Sequence, residues 1–205
     1  NYITLDVSLT AIGESAALSI TTGNQNTAIG ESAGSSITEG NYNTAIGRRS
    51  LMTVTSSDGN TAVGRNALFN ANTDYNTAIG YIAGQPLDST YTGGYNVFVG
   101  SNSGKLAKNA RYCTFLGATT EVDNSANKFD FSTAIGYGAT IDASNQIVLG
   151  RSTENVYIPG NLGIGTTSPQ GTLDVSGALF VTSIQYRMPF GNLQDNSGNV
   201  RIDIV

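Results

Sequence analysis

The sequence has no histidine, no tryptophan, a single cysteine and few charges. Without histidine the commonest general base and the commonest metal ligand are absent. Neither a Ser/His/Asp triad nor a Cys/His dyad can be assembled. Cys113 has no partner for an intrachain disulfide and says little about redox compartment. Charged residues make up 12% of the chain, about half the usual share, and strong helix formers are sparse, so long helices are not expected. The net charge is −5 and Arg48-Arg49 is the only adjacent basic pair, which sets nucleic-acid binding aside. No run approaches about 18 consecutive apolar residues, so no membrane insertion is expected. Residues Asn1 to Asp6 carry neither a basic n-region nor an apolar h-region. No Asn-x-Ser/Thr sequon supports an N-glycosylated secreted protein.

What the chain has instead is glycine, asparagine and threonine in a repeat. Asn26-Thr27-Ala28-Ile29-Gly30 returns as Asn43-Thr44-Ala45-Ile46-Gly47, as Asn60-Thr61-Ala62-Val63-Gly64 and as Asn76-Thr77-Ala78-Ile79-Gly80. Anchored on its glycine, the unit occurs ten times, at Gly13, Gly30, Gly47, Gly64, Gly80, Gly100, Gly117, Gly136, Gly150 and Gly165, 14 to 20 residues apart and most often 17. So short a unit cannot enclose a core alone, but stacked copies about 4.8 Å apart can. The expected fold is all-β: a parallel β-solenoid or β-roll of about ten coils with a short C-terminal β tail. The repeat domain is expected over residues 1–158 and a C-terminal β segment or junction over 159–205.

The columns assign faces. The residue before each glycine is always aliphatic: Ile12, Ile29, Ile46, Val63, Ile79, Val99, Leu116, Ile135, Leu149 and Ile164. Hydrophobicity makes these the expected solenoid core. Two residues earlier stands Thr in seven copies, sharing that face. The residue between, usually Ala but Phe98 and Phe115 in two copies, is then expected to point outward. The third residue after each glycine is always small, which implies a corner or an axis. The column Asn26, Asn43, Asn60, Asn76 and Asn96 is expected to form a ladder, with Cys113 in the next slot as a small, semi-buried residue.

The pattern Gly-Asn-x-Asn-Thr-Ala-Ile-Gly-x-x-Ala resembles the head repeats of trimeric autotransporter adhesins and, equally, the shaft repeats of phage and algal-virus tail fibres. The resemblance covers roughly residues 9 to 168. It implies a homotrimer of β-rolls about a common axis. Leu162-Gly163-Ile164-Gly165-Thr166-Thr167-Ser168-Pro169, with Leu173-Asp174-Val175-Ser176-Gly177, resembles the segment upstream of intramolecular chaperone domains in viral fibres. That favours a virion fibre over a bacterial adhesin, and an end at Val205 suits a mature, processed fibre and a truncated chain equally well. The resemblance thus implies a structural, adhesive protein at the virion surface, or alternatively at a bacterial cell surface. Its expected partners are other virion fibre or baseplate proteins and a host-cell surface glycan or protein. Leu179-Phe180-Val181 and Val200 to Val205 read as strands of a small cap.

Catalysis is not expected, because the fifteen acids are scattered and mostly lie in turns. A glycan-degrading fibre remains an alternative, since carboxylate pairs could serve it. No cofactor or metal is expected. Asp123 to Asp130 lacks the spacing and central glycine of an EF-hand and reads as an Asx-capped loop. Two insertions, Gln85 to Asn96 and Glu121 to Ser132, lengthen the repeat. Their aromatics Tyr91, Tyr95, Phe129 and Phe131 are the candidate receptor contacts, weighed against simple loop packing. An ice-binding Thr array is disfavoured, because Thr is expected to share the core face.

Overall fold

The computed structural model describes residues 8–85, 93–107, 109–123 and 128–177. The chain divides into two compact units, Asn1–Val156 and Tyr157–Val205. The described residues contain strands and turns and no helix. In the first unit the strands are β1 (Leu9–Ile12), β2 (Asn26–Ile29), β3 (Thr44–Ile46), β4 (Thr61–Val63), β5 (Thr77–Ile79), β6 (Val97–Val99), β7 (Thr114–Leu116), β8 (Glu121–Val122), β9 (Thr133–Ile135), β10 (Thr140–Ile141) and β11 (Ile147–Leu149). The second unit contributes β12 (Leu162–Ile164) and β13 (Leu173–Val175).

Nine strands form one parallel sheet in the order β1-β2-β3-β4-β5-β6-β7-β9-β11. The register keeps every column intact: Thr27 pairs with Thr44, Ala28 with Ala45 and Ile29 with Ile46. The coils make a β-solenoid of about eight turns, fewer than the ten glycine copies imply. The last copy, Leu162 to Ile164, pairs with Leu173 to Val175 in a two-stranded sheet of its own. The strands expected beyond Ala178 lie outside the described residues.

The glycine column lies at the corner after each strand. Gly47 has φ +126, a region closed to side chains, and a Cβ there would lie 2.7 Å from the backbone C and O of Gly64 one coil on. Its amide donates to Ile29 O at 2.7 Å, tying the corner to the preceding coil.

The two faces of the sheet are the reverse of those the hydrophobic pattern predicts. Ala28, Ala45, Ala62, Ala78, Phe98, Phe115 and Ala134 are buried. The third residue after the glycine faces them: Ala33, Ser50, Ala67, Ala83, Ser103, Thr120 and Ala139 are fully buried. The aliphatic column points outward. Ile12 (60% exposed), Ile46, Ile79 (44%), Leu116, Ile135 and Leu149 are exposed, and Ile29, Val63 and Val99 are half-buried. Ile164, in the second unit, is exposed as well. None of the ten expected core residues is therefore core in the single chain. The physical reason is room. The interior is filled from the turns, where Ile37, Leu51, Val54 and Leu68 are fully buried, and this leaves room mainly for small side chains on the strand and at the third position after the glycine. Phe98 and Phe115 belong to that interior, with ring centroids 5.2 Å apart, and do not face outward.

The asparagine column is buried and forms the expected ladder. Each side-chain Oδ1 accepts from the backbone amide of the same column one coil later: Asn43 N to Asn26 (2.9 Å), Asn60 N to Asn43 (3.0 Å), Asn76 N to Asn60 (2.9 Å) and Asn96 N to Asn76 (3.0 Å). Cys113 N donates to Asn96 Oδ1 in turn. Cys113 is buried, and burial pushes its thiol up, so its role is packing.

Candidate recognition site

The corner entering each strand carries the columns that hold the candidate contacts. The residue just before the buried Asn slot has positive φ in Gln25, Tyr42, Tyr75, Tyr95, Tyr112 and Phe131, which turns its side chain out of the coil. Four successive coils carry an aromatic ring there. Tyr75, Tyr95, Tyr112 and Phe131 stack face to face, with centroids 5.0, 5.1 and 5.0 Å apart. All four are exposed. At the near end, the Tyr75 ring lies over Gly59, where a Cβ would sit 2.6 Å from Tyr75 Cδ1.

This ladder relocates the receptor candidates. Tyr95 and Phe131 stand in it and present edges, since the faces of Tyr95 are covered by Tyr75 and Tyr112. Phe129 is not a surface contact: it is 3% exposed. It stands three residues before Ser132, where earlier coils have Gly23, Gly40, Ser57, Thr73, Gly93 and Ala110, and lies buried beside Cys113. Tyr91 lies outside the described residues.

The residue before the aromatic column forms a second polar ladder, running opposite to the buried one. Asn24 N donates to Asn41 Oδ1 (2.9 Å), Asn41 N to Asp58 Oδ1 (2.6 Å) and Asp58 N to Asp74 Oδ1 (2.9 Å). The next slot is Gly94, which has no side chain to accept from Asp74. Arg111 and Asp130 follow, joined by Nε–Oδ1 at 3.3 Å and Nη2–Oδ2 at 3.1 Å. Lys128 also reaches Asp130, at 3.4 Å. The Arg111 guanidinium, by hydrogen bond and then by charge, holds the Asp130 carboxyl below its ordinary value.

The interruption at Gly94 opens a groove of about 460 Å³ lined by Asp74, Gly94, Arg111, Tyr95, Tyr112 and neighbouring hydroxyl and amide side chains. Sequence reasoning passed over Asp74, Gly94, Arg111 and Tyr112. Aligning the column two residues before the Asn slot exposes the signal: a glycine replaces an Asx in the middle of an otherwise polar column.

One carboxyl is strongly perturbed. Burial pushes Glu121 up to about 7, against backbone hydrogen bonds from Leu106 and Val122 that favour its charged form. Among the described residues no group of three or more His, Cys, Asp or Glu that could hold a metal ion is found. No protein-family description matches the chain, and no curated protein is significantly similar to it.

Proposed function

We propose that this chain is a structural and adhesive segment of a trimeric virion fibre, without a catalytic role. Three copies pack through the outward faces of their nine-stranded sheets. The corner with the aromatic ladder meets a host-surface glycan or protein, and neighbouring fibre or baseplate proteins join the ends. The observation that carries this reading is the unbroken outward aliphatic column from Ile12 to Leu149 on a parallel sheet. Parallel sheets ordinarily have both faces covered, and a stripe of this length on one chain marks an interaction surface. The viral assignment, over a bacterial adhesin, rests on the Leu162 to Gly177 motif described above. Three weak sites on one rigid axis gain affinity by avidity. Size-exclusion chromatography with light scattering tests the reading. Three times the 21.3 kDa chain mass is expected, and a clean monomer overturns it.

The outward face favours one second reading. Thr27, Thr44, Thr61 and Thr77 are in register beside the aliphatic column and face outward with it. A monomer would leave this flat, regular array open, as an ice-binding surface requires. Thermal hysteresis in a monomeric preparation supports that reading, and a trimer without hysteresis removes it.

A further inference from the structure

With no side chain at Gly94 the Asp74 amide lacks the acceptor that the ladder gives Asn24, Asn41 and Asp58. Asp58 finds its acceptor on Asp74, but among the described residues nothing accepts from the backbone amides of Asp74 or Gly94. The second carboxylate oxygen of Asp74 and the hydroxyls of Tyr95 and Tyr112 also carry no hydrogen bond among those residues. The residues that carry these donors and acceptors line one open, mainly polar groove of about 460 Å³.

We propose that the groove over Gly94 binds one uncharged saccharide residue of a surface glycan. The proposal rests on the adhesive reading above and gives it a place and a ligand class. A sugar hydroxyl donates and accepts at once, and so can serve Asp74 Oδ2 and a backbone amide together. An anion could only accept. It would also meet the Asp74 carboxylate, while the fork of Arg111 is already occupied by Asp130. With its faces covered in the stack, Tyr95 offers the sugar a ring edge and a hydroxyl and no stacking platform.

Saturation-transfer NMR on the full chain tests this. The probes are glucose, galactose, mannose and N-acetylglucosamine, with glucuronic and N-acetylneuraminic acids as acidic controls. Transfer to at least one neutral sugar is expected. Asp74→Asn keeps the oxygen that caps Asp58 and removes the charge, and is expected to weaken binding about tenfold. Asp142→Asn is expected to leave it unchanged. If Asp74→Asn does not fold, Tyr112→Phe carries the test, because it keeps the stack and removes a hydroxyl. No transfer to neutral sugars, transfer to the acids alone, or undiminished binding in the folded variants overturns the proposal. Native mass separates this failure from that of the fibre: a trimer silent to sugars loses the groove and keeps the assembly. A monomer that binds sugars does the reverse.

Discussion

The rings of Phe98 and Phe115 lie parallel inside the solenoid, 5.2 Å apart and within 11° of coplanar orientation. They fill a column that is alanine in the neighbouring coils, and glycine makes the room. A Cβ on Gly84 would lie 2.7 Å from Phe98 Cδ2, and one on Gly104 would overlap the Phe98 ring. Phe98→Ala is expected to cost about 3–5 kcal/mol in urea unfolding. Gly104→Ala alone is expected to cost several kcal/mol. In the Phe98→Ala background it should cost only about 1 kcal/mol, for its φ of +66. Equal costs in both backgrounds would show that the ring does not need the glycine.

The two sheet faces respond to opposite substitutions. Ala62 is fully buried, so Ala62→Leu overpacks the coil and lowers stability by about 1–3 kcal/mol. Ile46→Ser removes an outward side chain. It is expected to leave circular dichroism of the coil unchanged and to lower the native mass. A folded assembly carrying Ala62→Leu beside an unfolded Ile46→Ser would restore the opposite facing.

The buried ladder is tested at Asn60. Asn60→Ala leaves the Asn76 amide without its acceptor inside the coil, at a cost of about 1–3 kcal/mol. Hydrogen exchange at Asn76 should accelerate more than at Thr44, whose amide donates to the retained backbone carbonyl of residue 60 at 2.8 Å.

Glu121 sets a pH dependence. Its folded value of about 7 lies above its ordinary 4.5, so the folded state binds the extra proton. Its contribution is fully present below pH 4.5, falls as pH rises from about 4.5 to 7, and stays low above that. Glu121→Gln keeps an acceptor for Leu106 N and removes the buried charge. At pH 8 the variant is expected to be more stable by about 2–3 kcal/mol, with the difference vanishing near pH 4. A melting temperature of the parent chain that rises from pH 5 to pH 7 while the variant stays flat would sink this account.

The repeat, its period and the asparagine ladder were legible because each is a column property that survives without coordinates. The facing of the strand was not. Alternation separates Thr and Ile from Ala but does not say which side is inside, and hydrophobicity alone chose Ile. The room left inside chose Ala, as the wholly small column from Ala33 to Ala139 already hinted. The groove was missed for a related reason. The long insertions advertise themselves by their aromatics, whereas the groove's defining residue, Gly94, is informative only by what it lacks relative to Asn24, Asn41, Asp58 and Asp74. Phe129 was misplaced because an aromatic in an insertion reads as exposed until its column, otherwise Gly, Ala, Ser and Thr, is lined up.

The asparagine ladder gives each coil the same socket and the same plug, since Asn43 takes from Asn26 what Asn60 takes from Asn43. Adjacent 17-residue units are therefore interchangeable parts. Unequal recombination between the near-identical segments encoding Asn26 to Gly30 and Asn43 to Gly47 would add or remove whole coils and leave every remaining junction unchanged. The number of coils can thus drift in steps of one across a lineage while the asparagine ladder is preserved.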